Sequence, residues 1–469
     1  MSAAPSATAR PAAVDAGPAC PGPGGFPEAD PGWGPQTRSV HAGHARTGFQ
    51  ETSEALFLTQ GYVYDQAADA EAAFLGEVDR FTYSRYENPT VSTFEERLRS
   101  LEGAQACYAT ATGMAAVFST LAALLGAGSR VVAGRALFGS TLTLFEEVFA
   151  KWGVRTDYVD AHDLADWERA LATPADVVFF ETPSNPMLDL VDVRRVSDLA
   201  HAAGAVVVID NVFATPVLQR PLTQGADVVV YSATKHIDGQ GRVMGGAVLG
   251  SAEFIKGPLQ LILRNTGPSL SPFNAWVLLK GLETMPLRVR AQTAAAYELA
   301  AWLETLPGVA RVRYPFLASH PQAELARAQM SGGGTMVTFD IAAGVSGEGA
   351  DGAVAQGPGD AAVGGAAAHG AVAGGVPADQ ATTFAFLDAL QLILISNNLG
   401  DAKSLITHPA TTTHRKIGPH GRAAVGITDA TVRLSVGLED VEDLRADIAR
   451  ALAAVSRAGS VAPRAMAEC

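Results

Sequence analysis

The sequence predicts an α/β protein: a large domain built on a mainly parallel sheet wrapped by helices, with a smaller α+β domain after it. Three observations lead there. Between Glu102 and Gly250, short β-branched apolar runs without polar alternation succeed one another, separated by helical patterns, as expected of strands covered on both faces. Beyond that region, the strand-like Gly332 to Ile341 is followed by the helical Ala381 to Leu394, a different rhythm. The 469 residues, 48% of them hydrophobic, are enough for a large core.

Taken in order, Met1 to Gln36 is crowded with Ala, Pro and Gly and is expected to be a disordered tail, because it buries too little apolar surface to offset its ordering entropy. Thr110-Ala111-Thr112-Gly113-Met114 leads into the apolar helix Ala115 to Leu125. The strands of the large sheet are expected at Arg130 to Ala133, Asp176 to Phe180, Ala205 to Ile209, Asp227 to Tyr231 and Ala247 to Leu249. Ala294 to Leu306 is a helix candidate, and Val432 to Val436 a strand of the smaller domain. Gly344 to Pro377, with 21 Gly or Ala among 34 residues, reads as a flexible surface insertion.

Composition excludes several function classes. With 34 basic against 48 acidic residues the chain carries a net charge of -14, which repels phosphate backbones and anionic lipid, so neither nucleic acid nor a membrane surface is an expected partner. Apolar runs of about 18 residues are missing, so no membrane-spanning helix is expected. Cys20, Cys107 and Cys469 cannot build a disulfide framework or a zinc site by themselves, which suits a reducing cytoplasm. His41, His44, His408 and His414 match no common zinc spacing and are read as structural. Gly239, Gly241, Gly245 and Gly246 lack the strand and helix that a dinucleotide loop requires, which leaves a nucleotide-dependent dehydrogenase as a weak alternative.

In open α/β sheets the ligand crevice lies beyond the carboxyl ends of the strands. Three predicted strand ends carry chemistry there: Glu181 to Pro186 with Asn185, then Asp210, then Ser232-Ala233-Thr234-Lys235-His236. A desolvated lysine can lose its proton near neutral pH and form a Schiff base with a carbonyl, and a buried carboxylate can pair with a pyridinium nitrogen. Ser232 and Thr234 offer hydroxyls to a phosphate, and the N–H groups at Gly113 and Met114 offer a helix start. Taken singly, Asp210 would be a strand-end cap, Lys235 a solvated lysine, and Thr110 or Thr112 an ordinary N-cap.

Together, Lys235 with Ser232 and Thr234, Asp210 25 residues earlier, Asn185 and Gly113-Met114 resemble the Cys/Met-metabolism enzymes that depend on pyridoxal phosphate (PLP). The similarity runs from about Thr37 to Asp440 and includes Thr82 to Thr90, Gly267 to Phe273 and Ser404 to His414. It implies the PLP-dependent transferase fold type I, like that of aspartate aminotransferase. It also implies an arm at 37–84 contacting a neighbouring subunit, a PLP-binding domain at 85–285 and a C-terminal domain at 286–469.

By matching position, the resemblance implies that Lys235 bonds the cofactor and shuttles protons, Asp210 pairs with the pyridine nitrogen, and Asn185 bonds the ring hydroxyl. Phe138 stacks on the ring, while Gly113, Met114, Ser232 and Thr234 meet the phosphate. Tyr83 and Arg85 reach in from a neighbouring subunit of a homotetramer, a dimer of dimers. Arg433 grips the substrate α-carboxylate, with Asn398, where many relatives have serine, and Thr413 beside it. Phe138 stands where many lyase relatives have tyrosine, so Tyr83 or Lys235 must cover any proton step of that phenol. Phe138, Asp238 to Arg242 and Ser396 to Lys403 are most similar to the O-succinylhomoserine sulfhydrylase branch, which implies γ-replacement on an O-acylhomoserine by sulfide. Cystathionine γ-synthase, O-acetylhomoserine sulfhydrylase and methionine γ-lyase share the same residues. A non-catalytic interaction protein that keeps the fold is the alternative of a different class.

Overall fold

The computed structural model of the chain describes residues 22, 25–27, 29, 30, 32–343 and 375–460. Most of the expected tail and insertion lie outside these residues, as do Cys20 and Cys469. The large sheet has seven strands: β1 (Ala106–Thr110), β2 (Arg130–Gly134), β3 (Arg155–Val159), β4 (Val177–Glu181), β5 (Val206–Asp210), β6 (Val228–Ser232) and β7 (Gly246–Gly250). Their order is β1-β7-β6-β5-β4-β2-β3. The five expected strands are all present. β7, however, runs antiparallel to both its neighbours, which corrects its place among the parallel strands: a fully buried apolar run has the same composition whichever way it points.

Period-2 alternation divides each central strand between two cores. Val178 and Phe180 enter one apolar cluster with Val207, Ile209, Val229 and Tyr231, while Val177 and Phe179 enter another with Val208, Val228 and Val230. That is the physical content of a sheet covered on both sides, and it explains why these runs are continuously apolar.

The second sheet contains β8 (Val309–Arg313), β9 (Met336–Ile341), β10 (Leu394–Ile395), β11 (Leu405–Thr407) and β12 (Thr431–Ser435), ordered β10-β11-β12-β9-β8. Helices Gln380–Ala389 and Val441–Ser460 accompany it. Ala342 bridges Pro377, and the Ala343 N–H donates to the Val376 carbonyl at 2.6 Å. Among the described residues no helix is long and apolar enough to cross a membrane.

A helix of 32 residues, Pro272–Leu303, runs past both sheets. It begins far before the expected Ala294 and stops short of Leu306. Its Leu278, Leu282 and Val289 belong to the core of the large sheet, and Ala296, Leu299 and Leu303 to that of the small one. The division expected between residues 285 and 286 falls inside it. Gly281 and the interior Pro286 are breaker signals in sequence. In the fold, a Cβ at Gly281 would come within 2.1 Å of the Ile237 carbonyl oxygen, so the glycine permits close packing rather than ending the helix.

Candidate active site

Glu181, Asp210 and Ser232 are the last residues of β4, β5 and β6. The residues before them, Phe180, Ile209 and Tyr231, share one core, so alternation turns the three polar side chains together to the opposite face. Asp210 accepts the Val212 N–H at 3.0 Å. Burial pushes its carboxyl up to about 6, against the Val212 bond and the Lys235 charge. Glu181, its register partner, is driven well above the usual carboxylate range by burial and then by the Asp210 charge, and accepts the Phe138 N–H at 2.7 Å. Burial thus pushes both carboxyls toward the protonated form, and the Asp210 charge pushes Glu181 further the same way.

Lys235 lies in the turn after β6, its N–H directed to the Ser232 carbonyl, and its ammonium donates to Asn398 Oδ1. Burial pulls its pKa down to about 8, with the Arg433 charge acting the same way and Asp210 opposing. Arg433, on β12, is buried at 2% exposure. Its Nη1 donates to Asn185 Oδ1 at 2.9 Å, and Nη2 to the carbonyls of Asn397 at 2.9 Å and Asn398 at 3.3 Å. These partners are neutral oxygens. The Nε is buried with no hydrogen-bond partner, and burial lowers the guanidinium to about 10. A desolvated cation with a spare donor is a receptor for an anion, and its planar fork suits a carboxylate.

Thr112 caps the helix Gly113–Leu124 by accepting the Ala115 N–H at 3.1 Å, so the capping role open to Thr110 or Thr112 falls to Thr112. A Cβ at Gly113 would lie 2.6 Å from Ser232 Cβ and 2.9 Å from its Oγ. Only glycine brings this helix start against the end of β6. Met114 packs at the edge of the neighbouring apolar cluster. The Thr234 hydroxyl bonds both the carbonyl and the N–H of Gly245.

Gly139, next to Phe138, meets the Thr413 carbonyl, 2.9 Å from where its Cβ would be. Thr413 Oγ1 pairs with His414 Nδ1 at 2.8 Å, and His414 Nε2 reaches the Asn185 carbonyl at 3.1 Å. Burial takes His414 down to about 4, so it is neutral at pH 7 and acts as an anchor for Asn185. The described contacts of Tyr83 and Arg85 include each other and nearby Tyr86, Gly61 through a backbone bridge, Arg264 and Gly267, and none is with Lys235 or Arg433. The structure thus joins Lys235, Asn398, Arg433 and Asn185 by direct bonds. Sequence reading assigned nothing to Glu181, although its place at a strand end beside the Asp210 strand was a visible signal. It left His414 as merely structural.

A family model described as Cys/Met metabolism PLP-dependent enzyme matches residues 36–355 and 367–453. The chain belongs to this family. Its relatives include an O-succinylhomoserine sulfhydrylase of Mycobacterium tuberculosis, 57% identical over 89% of this chain and 95% of that protein. One of the same name from Pseudomonas aeruginosa is 48% identical over the same shares. An L-methionine gamma-lyase of Pseudomonas putida is 38% identical over 89% and 97%. Among solved structures, cystathionine gamma synthase from Xanthomonas oryzae pv. oryzae in complex with aminoacrylate and cysteine superimposes with a TM-score of 0.79 at 32% identity, covering 91% of this chain and 99% of that one. The fold is that of the type I PLP-dependent transferases.

PLP is a property of the family, and the residues here fit it. The Gly113–Ser232 approach leaves a helix N-terminus against a hydroxyl, as a phosphate requires. The amine of Lys235 is partly deprotonated near neutral pH, and Asp210 supplies an ionised carboxylate on the same face.

Proposed function

We propose that this chain is an O-succinylhomoserine sulfhydrylase, replacing the acyloxy group at Cγ of an O-acylhomoserine by sulfide to give homocysteine and the free carboxylic acid. The observation that carries the reading is the buried Arg433, whose Nε lacks a partner, in a cluster where Lys235 Nζ bonds Asn398 and Asn398 bonds Arg433. An α-amino acid brings the anion that Arg433 needs. The two relatives at 57% and 48% identity support the choice within the family.

PLP would be held by Lys235, Asp210, Asn185, Phe138, Gly113, Met114, Ser232 and Thr234, with Tyr83 and Arg85 supplied from a neighbouring subunit of a homotetramer. When bound, it supplies an electron sink for the pair left at Cα. Arg433 holds the α-carboxylate and so fixes which face of Cα meets the lysine. Lys235 Nζ, with a pKa near 8, takes the Cα proton and is placed to move the Cβ proton and return one at the end. Asp210, ionised at neutral pH, would pair with the ring nitrogen. The acyl group leaves as a carboxylate and hydrosulfide adds at Cγ, so one C–O bond is exchanged for one C–S bond without net oxidation. The cytoplasm, with its reduced thiols, is the compartment that suits this chemistry.

The test is a matrix of purified enzyme with O-succinylhomoserine or O-acetylhomoserine against sulfide, cysteine or no thiol. Homocysteine from the succinyl ester and sulfide is the expected product. Cystathionine alone, or an oxoacid and ammonia without thiol, would assign the chain to the synthase or the lyase instead. Borohydride treatment followed by peptide mapping should place a pyridoxyl label on Lys235, and a label elsewhere would overturn the reading.

A further inference from the structure

Asn398 touches both Lys235 and Arg433 at once. Its backbone carbonyl accepts from Arg433 Nη2 at 3.3 Å, next to the Asn397 carbonyl at 2.9 Å, while its side-chain oxygen accepts from Lys235 Nζ. The segment carrying it is fixed from three sides. The Asn398 N–H donates to Ser396 Oγ at 3.3 Å, and the Gly400 N–H to Ser435 Oγ at 2.9 Å, tying the run to the end of β12. Gly400, at φ 74°, lies so near the residue after the lysine that a Cβ there would sit 2.7 Å from the His236 nitrogen. Asn398 is therefore a rigid, neutral acceptor between two cations.

We propose that Asn398 is a positioning residue that docks the free Lys235 amine against the Arg433 clamp, so that filling the clamp with a carboxylate is felt at the amine. The inference deepens the reading above and rests on it for the identity of the carboxylate. The groups facing the lysine are Asn398, the Arg433 cation and the Asp210 anion. Of these, Asn398 alone contacts both it and the arginine in the described hydrogen bonds. An amide oxygen binds an ammonium more strongly than a neutral amine, so the contact favours the protonated lysine. The Arg433 charge favours the neutral one. A carboxylate on Arg433 cancels the second influence and leaves the first, making the amine a stronger base when substrate is present.

Because the bond to Arg433 comes from the backbone, replacing the Asn398 side chain removes the lysine contact and leaves the clamp's carbonyls in place. The experiment is done first on cofactor-free protein: Lys235 is acetylated with trace acetic anhydride across pH and its labelling read by peptide mapping. For the wild type, half-maximal labelling is expected near pH 8. Asn398→Ala should move it down and Asn398→Asp up, each by about one pH unit, a tenfold change in proton affinity. Added succinate should raise the wild-type midpoint but not that of Arg433→Ala.

On the holoenzyme, Asn398→Ala should lower kcat about tenfold or more while KM for O-succinylhomoserine stays within about threefold, with the pH limb of kcat moved in the same direction as the labelling. Asn398→Ser is the second variant should the alanine protein fail to fold. Coincident midpoints for wild type, Ser, Ala and Asp would overturn the proposal, as would a rise in KM equal to the fall in kcat. The labelling arm needs no turnover, so shifted midpoints in a protein that makes no homocysteine would sink the sulfhydrylase reading and spare this one.

Discussion

Glu181 and Asp210 stand as register partners on adjacent parallel strands, two carboxyls that burial pushes upward in pKa, Glu181 further through the charge of its neighbour. Glu181 also accepts the N–H of Phe138 at 2.7 Å. One side chain thereby connects the carboxylate assigned to the ring nitrogen with the aromatic assigned to the ring face.

Glu181→Gln preserves an acceptor for the Phe138 N–H and should hold PLP within about threefold of wild type. Glu181→Ala strands a buried N–H, at a cost of roughly 1–3 kcal/mol, and should speed cofactor loss about tenfold or more. Visible absorbance after dilution measures both. Equal losses in the two variants would show that the acceptor for the Phe138 N–H is not what supports the cofactor.

Asp210→Asn should stabilise the cofactor-free protein at pH 8 while weakening its hold on PLP. The Asp210 pKa is raised in the fold from 3.8 to about 6, so its contribution is most favourable below 3.8 and is lost as pH rises through 6. Above that the apo-protein bears at most about 3 kcal/mol of desolvation. Melting curves of apo wild type and Asp210→Asn at pH 4 and pH 8 should diverge only at the higher pH.

Arg433→Lys keeps a positive charge but loses the fork that bonds Asn185 and the Asn397 and Asn398 carbonyls. KM for the acylhomoserine should rise about tenfold or more, with PLP absorbance intact. An unchanged KM would place the α-carboxylate elsewhere.

Glu54, buried at 7% exposure, joins the N-terminal segment to Arg97 and Lys280. Burial works to raise its pKa, but the Arg97 charge and the bonds from Lys280 and Arg97 outweigh it and bring the group down to about 2. The stabilisation is therefore present above the ordinary value of 4.5 and lost as pH falls toward 2. Glu54→Gln should destabilise the protein by about 3 kcal/mol at pH 7, a gap that closes in acid and is read by denaturant titration.

The central strands were legible because burial on both faces leaves an uninterrupted apolar run. β3 was not: on the sheet edge it alternates exposed Arg155 and Asp157 with half-buried Thr156 and Tyr158, and such alternation carries no sign of a parallel core. Lys235 and Asp210 could be read because strand ends place them, whereas the bonds from Arg433 to Asn185 and from Lys235 to Asn398 join residues 248 and 163 positions apart. Contacts of that range depend on how the two sheets dock, which no local pattern encodes. The same holds for Asn398, expected beside the substrate carboxylate and found with its side chain on the lysine.

The Ala342–Pro377 bridge and the Ala343–Val376 bond bring the chain back to within one hydrogen bond of where it left. Closure entropy grows only with the logarithm of the length enclosed, so the length of chain between Ala343 and Val376 adds little to the cost of holding this pair together. The two ends of the intervening chain are thereby held together by backbone pairing just past β9 of the second sheet rather than by the chain between them.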